Sequence, residues 1–272
     1  MSGAWYHGRE HSRRALREQA TRERYSVAVM AQPEVRVRVS AVRQLSPSVR
    51  SVSLSAIDAA LAQSDPFHFV AGQWLNLHVR TADGGREKRA YSIASGPVVR
   101  PIELAITHVI DGTVSPLLHA IRAGDELSCD GPYGFFTREG DLRRAPALFV
   151  GTGTGLSPLR SMLLDLLADP QHTPVTVLFG ARSQGDILWR EELEAVAARD
   201  PRVRVEVTLS RPEPGWQGRV GYVQAHVAEL ARALGEPHVF ICGLSPMVSA
   251  VRALCKAELH YDRKRIHSER YD

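Results

Sequence analysis

The sequence predicts a β domain followed by a doubly wound α/β domain. Short strands broken by Gly- and Asp-containing turns fill the chain from Val35 to about residue 143. From Ala147 onward, apolar strands alternate with helical stretches instead. A glycine-rich turn, Gly151-Thr152-Gly153-Thr154-Gly155, directly follows the first of those later strands. The change of period separates a barrel or sandwich from a parallel sheet covered by helices on both faces.

The first half opens on Val35-Arg36-Val37-Arg38-Val39, whose strict alternation marks a half-buried strand. Further strand-like runs follow at 49–54, 74–79, 102–109 and 126–129, with turns at Asp83-Gly84-Gly85 and Ala123-Gly124-Asp125. In the second half, strands are expected at 147–150, 175–179, 203–209 and 238–242. Helices are expected at 158–168, 189–198, 224–234 and 246–259. The domains expected are a polar basic tail over 1–33, a β domain over 34–143 and an α/β domain over 144–272.

Composition narrows the function. The 272 residues are 44% hydrophobic and 24% charged, ordinary for a globular protein. No apolar run reaches the ~20 residues that cross a bilayer, and no secretory signal opens the chain, so a cytoplasmic protein is expected. Residues 1–29 carry six Arg and three Glu, which leaves about one of the four net positive charges for the rest. That is no polyanion-binding surface, so nucleic acid is not an expected partner. The stretch itself reads as a solvated tail, with Met30 as an alternative start. Cys129, Cys242 and Cys255 form no C-x-x-C pair, and of the eleven histidines His108, His119, His226 and His238 are scattered without ligand spacing between any pair, so no metal is expected. Electrons, if this chain moves them, need an organic carrier.

Two segments offer places for one. The turn from Gly151 to Gly155 lets a backbone approach a pyrophosphate, while the helix after it presents unpaired N–H groups. In the β half, Arg89-Ala90-Tyr91-Ser92 ends a polar loop and begins a strand. Its Arg suits a phosphate, its Tyr a planar ring and its Ser a ring nitrogen. Further on, Gly112-Thr113-Val114-Ser115 precedes a short helix over 116–121, for which Ser115 is the expected N-cap.

This ordered set resembles the ferredoxin–NADP reductase family, which includes the reductase components of bacterial oxygenases. Arg89-Ala90-Tyr91-Ser92 is similar to its flavin motif and Gly112 to Ser115 to its flavin-phosphate motif, while Gly131-Pro132-Tyr133-Gly134-Phe135 closes the flavin domain. Gly151 to Gly155 with Ser157-Pro158 resembles the nicotinamide-side turn, and Cys242-Gly243 with Pro246-Met247 the late Cys-Gly…Met motif. Glu269-Arg270-Tyr271 resembles the family's Glu-x-aromatic ending, although Asp272 extends one residue beyond it. The likeness runs from about Val35 to the C-terminus.

The resemblance implies a six-stranded antiparallel barrel for FAD, then a five-stranded parallel sheet for NAD(P)H, with the active site between them. Ser92 would hydrogen-bond flavin N5, and Tyr91 would pack on the ring beside Ala90. Arg89 and Ser115 would hold the pyrophosphate with Gly112 and Val114, and Thr107, His108 and Val109 would line the flavin. An adenine would stack on the aromatic loop 133–136. Gly151, Thr152, Gly153, Thr154, Gly155 and Pro158 would hold the dinucleotide with Gly243 and Met247. Cys242 would lie near the nicotinamide, Glu269 would shape the hydride path or relay a proton, and Tyr271 would cover the flavin.

Ser210-Arg211 stands where plant-type members bind the 2′-phosphate of NADPH, with Tyr222 and Gln224 following as in those members. Their lysine is Val220 here, and the run from Gly215 to Gly221 is similar to NADH-using relatives. Arg219 either replaces the missing cation or points away. The expected activity is reduction of FAD by NADPH or NADH, with delivery to a separate ferredoxin, flavodoxin or oxygenase component. Alternatives are a free-flavin or small-molecule reductase and a non-catalytic electron-transfer subunit.

Overall fold

A computed structural model describes residues 33–57, 67–81 and 83–271. The tail expected over 1–29 and the terminal Asp272 lie outside the described residues.

The first half is a six-stranded antiparallel sheet in the order β4-β3-β6-β1-β2-β5. Its strands are β1 (Val35–Ser46), β2 (Val49–Ala56), β3 (Trp74–Arg80), β4 (Arg86–Ser92), β5 (Ile102–Thr107) and β6 (Glu126–Tyr133). Val35, Val37 and Val39 face inward while Arg36 and Arg38 face out, as the alternation demands. A register shift between Val39 and Ala41 then ends the alternation without ending β1, which is why the strand outruns its pattern. An Ile93–Leu104 bridge joins the end of β4 to β5, so the sheet curls into a barrel around Val37, Leu54, Leu77 and Ile102.

Two expectations need correction. Strand β4 starts at Arg86, not Arg89, so the flavin-like motif closes a strand instead of opening one. As an edge strand it is polar on both faces and carries no readable period. The short helix α1 (Ser115–Ala120) is capped by Val114, not Ser115. The Ser115 hydroxyl instead accepts from the Val109 N–H at 2.9 Å and folds the preceding loop onto the helix.

The second half contains β7 (Ala147–Thr152), α2 (Leu156–Leu167), β8 (Val175–Ala181), α3 (Arg190–Arg199) and β9 (Val203–Leu209). It continues with β10 (Arg219–Val220), α4 (Gln224–Ala233), β11 (His238–Leu244), α5 (Ser245–Ala257) and β12 (Ile266–Tyr271). All its strand pairs are parallel, in the order β10-β9-β8-β7-β11-β12. The sheet therefore has six strands, one beyond the expected five. The added β10 has two residues, too few for any periodicity.

Order reverses between β7 and β11, and the crevice beyond their C-terminal ends is where such sheets bind ligands. Helix α2 leaves that crevice. It buries Leu156, Leu159, Met162, Leu163 and Leu166, spaced three or four apart, on one stripe. Those side chains pack with Phe149 and Phe240 and equally with Val49, Ala71, Ala105 and Phe136 of the barrel. One apolar cluster thus spans both halves and fixes one against the other.

Candidate functional site: a cleft between barrel and sheet

A cleft of about 1440 Å³ opens where the end of β4 faces the switch point. Its barrel wall carries Arg89, Ala90, Tyr91 and Ser92 at the end of β4, Thr107 at the end of β5, and His108 and Val109 after it. Gly112, Val114 and Ser115 complete that wall. Arg89 is exposed, pairs with Glu87 at 2.6 Å and reaches the Thr113 hydroxyl at 3.5 Å. Such an exposed pair contributes little stability, so a phosphate can take it over. Burial pushes the Tyr91 hydroxyl up to about 12 and keeps its ring neutral.

The opposite wall is built from strand ends. Thr152 ends β7 and Gly153 and Thr154 follow it, and Thr154 meets the Thr107 hydroxyl of the barrel at 3.4 Å. Gly153 has φ +54° and open space where a side chain would stand. Gly155 does not face the cleft. A Cβ there would lie 2.3 Å from the Cys242 carbonyl oxygen, so this glycine lets the turn lie directly on β11. Gly151 and Pro158 likewise sit behind the lining, against or within α2. Gly243 and Met247 reach the cleft from β11 and α5.

The four residues expected to act on the reacting atoms come together. Cys242 on β11 pairs in register with Glu269 on β12, and Leu244 with Tyr271. The Tyr271 hydroxyl lies 2.6 Å from Ser92 Oγ. Burial raises the Glu269 carboxyl to about 7, against a hydrogen bond from Ser92 that lowers it, and one Glu269 oxygen is buried without a partner. Burial, and next the charge of Glu269, push the Cys242 thiol far up, so it is a neutral thiol and not a thiolate. Cys242 and Glu269 stand one layer behind the cleft surface; Ser92 and Tyr271 form it.

At the far end, Ser210, Arg211 and the exposed Tyr222 line the cleft as expected. Among the described residues, the Arg211 side chain makes no hydrogen bond or ion pair. Arg219 does not supply the missing cation: it pairs with Glu206 at 2.9 Å and with Glu229 at 2.7 Å. Sequence reasoning missed Arg182, an exposed cation that also lines this end. The sequence shows only that an arginine follows each of the two expected strands; that they stand together comes from the parallel register of β8 and β9.

The aromatic loop 133–136 lies outside the cleft lining. Phe136 is buried in the shared core, the Tyr133 ring sits 5.0 Å from that of Trp74, and Phe135 is exposed beside them. The remaining residues fit a flavin and a dinucleotide. Ser157 Oγ and Gln224 Oε1 are buried, lack partners, and belong to residues that line the cleft, while Gly153 leaves room for an approaching phosphate.

Comparison with known proteins agrees with this geometry. The family model described as Oxidoreductase FAD-binding domain matches residues 36–137, and that for the Oxidoreductase NAD-binding domain matches 149–253. The chain is 49% identical over 251 residues to ferredoxin–NADP reductase B of Sorangium cellulosum, covering 90% of this chain and 100% of that protein. It is 32% identical over 237 residues to the phenol hydroxylase P5 protein of Acinetobacter pittii, covering 85% of this chain and 63% of that one. Among solved structures, the CS-b5R domains of human Ncb5or in the NAD+ form superpose with a TM-score of 0.75 at 25% identity, covering 88% of this chain and 70% of that one. The chain belongs to the ferredoxin–NADP reductase family of FAD- and NAD(P)H-dependent oxidoreductases.

Proposed function

We propose that the chain oxidises NADPH through FAD and hands the electrons singly to a separate iron–sulfur protein of the ferredoxin or oxygenase-component type. The convergence of Ser92, Cys242, Glu269 and Tyr271 on one point of the cleft carries the reductase reading. The two unpaired arginines, Arg182 and Arg211, favour NADPH over NADH, because a 2′-phosphate is the part of NADPH that NADH lacks. Residues 34–143 serve as the FAD-binding half and 144–272 as the NAD(P)H-binding half. Three free, buried cysteines suit a reducing compartment, which supports a cytoplasmic setting.

FAD, when bound, supplies a hydride acceptor that can release its electrons one at a time. The protein's work is to bind, orient and shield. Arg89 and the backbone from Gly112 to Val114 hold phosphate, and Tyr91 packs against the ring. Ser92 would turn its hydroxyl from Tyr271 and Glu269 to the ring nitrogen when the flavin is bound. Tyr271 would cover the reacting face of the ring, and Thr152, Gly153 and Thr154 would orient the dinucleotide while Gly155 lets their turn lie on β11. Glu269, whose carboxyl is raised by burial to about 7, would hold a proton near neutral pH and relay it through the Ser92 hydroxyl, which passes its own proton on as it takes one from Glu269. Cys242, one layer behind the surface, would back the nicotinamide position as a neutral, polarisable group.

Anaerobic titration tests the reading. Protein that retains FAD, is bleached by one equivalent of NADPH and reduces cytochrome c only when a ferredoxin is added supports it. Protein that neither dinucleotide bleaches refutes it, and flavin that leaves on reduction would favour the free-flavin reductase instead.

A further inference from the structure

Arg160 lies in α2, five residues beyond Gly155, and is buried at 7% exposure although it is charged. A buried guanidinium persists only where its donors are matched and its charge is paired. Its Nε and one terminal nitrogen form a two-pronged bond to Glu192, at 2.8 and 2.6 Å. The other terminal nitrogen donates to the Ala94 carbonyl at 2.8 Å and to Glu103 at 3.1 Å. Its plane lies over the Trp189 ring, 4.7 Å from the centroid, and the indole N–H donates to the second Glu103 oxygen at 3.1 Å. The next residue repeats the contact, with the Ser161 hydroxyl donating to the Ser95 carbonyl at 2.7 Å.

These partners belong to different halves. Ala94, Ser95 and Glu103 come from the barrel, whereas Arg160, Trp189 and Glu192 come from the α/β half. Ala94 is two residues past Ser92, and its own N–H is held by the Glu103 carbonyl at 2.7 Å. The helix that starts at the glycine turn therefore grips the backbone just beyond the flavin-side serine. At ~1.5 Å of rise per residue, only ~7–8 Å of helix separates Arg160 from the turn.

Cohesion alone does not call for ions here, since the shared apolar cluster already joins the two halves. A buried ion pair is seldom more stabilising than well-packed apolar side chains. A guanidinium fork adds direction, because two parallel bonds fix an angle that apolar contact leaves loose. We propose that Arg160 is a positioning residue for hydride transfer. Through Ala94 and Glu103, it sets the separation between the Ser92 wall and the Thr154 wall of the cleft. This rests on the hydride-transfer reading given above.

The test is anaerobic stopped-flow reduction of Arg160→Lys, which keeps the charge and loses the fork. FAD content and dinucleotide Kd should stay within about twofold of wild type, because no binding group has been removed. The hydride-transfer rate constant at saturating dinucleotide should fall roughly ten- to a hundredfold, the scale of a ~1 Å misplacement. The long-wavelength absorbance of stacked nicotinamide and flavin should weaken with it. If Arg160→Lys does not fold, Glu103→Gln keeps the shape and loses one charge, with an expected fall of about three- to tenfold. Wild-type rate and absorbance in the folded variant, even with a lowered Tm, would overturn the proposal and leave Arg160 a purely structural residue. Failure of the reductase reading would show differently, as wild-type flavin that no dinucleotide reduces, and would overturn this proposal as well.

Discussion

The Arg211 backbone N–H donates to the Arg182 carbonyl at 2.8 Å, which ties two exposed arginines together at the ends of neighbouring parallel strands. Neither side chain has a counter-charge among the described residues. We expect these two unneutralised cations to favour a dinucleotide that carries an extra phosphate. A charged hydrogen bond is worth ~1.5–3 kcal/mol, or roughly ten- to a hundredfold in affinity. Arg182→Ala and Arg211→Ala should each raise KM for NADPH by about that factor and leave NADH within about twofold. Steady-state kinetics with both dinucleotides decide it, and equal losses with NADH would remove the 2′-phosphate assignment.

Glu269 and His267 stand two residues apart on β12 and titrate in opposite senses. Burial raises Glu269 from 4.5 to about 7, whereas burial and the neighbouring His238 lower His267 from 6.5 to about 4. The raised carboxyl contributes stability that is complete below 4.5 and lost as pH rises through 7. The lowered imidazole contributes stability that is complete above 6.5 and lost as pH falls through 4. Between about pH 4.5 and 6.5 the two slopes oppose each other. Glu269→Gln should therefore unmask acid destabilisation, and His267→Gln should leave a protein that gains stability on acidification. After allowance for solvent screening each effect is about 1–2 kcal/mol. Urea melts from pH 4.5 to 7.5 measure it, and parallel profiles for all three proteins would contradict it.

Gly155→Ala places a Cβ against the Cys242 carbonyl, which is backbone and has no rotamer to escape into. The expected cost is about 1–3 kcal/mol from overpacking, with weaker dinucleotide binding as the turn lifts from β11. Gly153→Ala meets no atom in the protein but strains a φ of +54°, so its stability loss should stay near ~1 kcal/mol. Thermal melts compare the two, and the reverse order would show that the turn does not rest on β11.

The thiols should be silent in the folded protein. Burial raises Cys129 to about 12, Cys255 to about 11 and Cys242 still further, and all three are buried. A disulfide-exchange reagent should titrate none of them natively at pH 8 and all three in guanidinium. Fast native reaction of one thiol, mapped by mass spectrometry, would show that its shell opens.

Tyr271→Ser should raise affinity for oxidised nicotinamide, because the side chain whose hydroxyl bonds Ser92 no longer has to leave. The gain expected from removing one competing hydrogen bond is about two- to tenfold. Difference-spectrum titration checks it, and unchanged affinity would mean that Tyr271 does not gate the site.

What the sequence disclosed follows from where each signal is stored. The strand–turn–helix at Gly151 to Gly155 is local and was legible, as was the alternation from Val35 to Val39. Strand β4 hid because its residues are polar almost throughout, with Tyr91 near its end packing on the barrel core, and so imprint no period. The role of Arg182 hid because it exists only once β8 and β9 lie in register. The Ser115 bond to Val109 hid for a related reason, since Ser115 reads as a cap until a neighbouring loop claims its hydroxyl. Arg160 was invisible because its partners are 32, 57 and 66 residues away.

The cluster joining Val49, Ala71, Ala105 and Phe136 to Phe149 and Phe240 has a consequence for anyone who re-engineers the chain. Neither half is a free-standing cartridge. A nicotinamide half transplanted from a relative would arrive with its own knobs and meet sockets shaped for others. A working chimera has to carry both sides of the seam, including the barrel residues that never touch a dinucleotide.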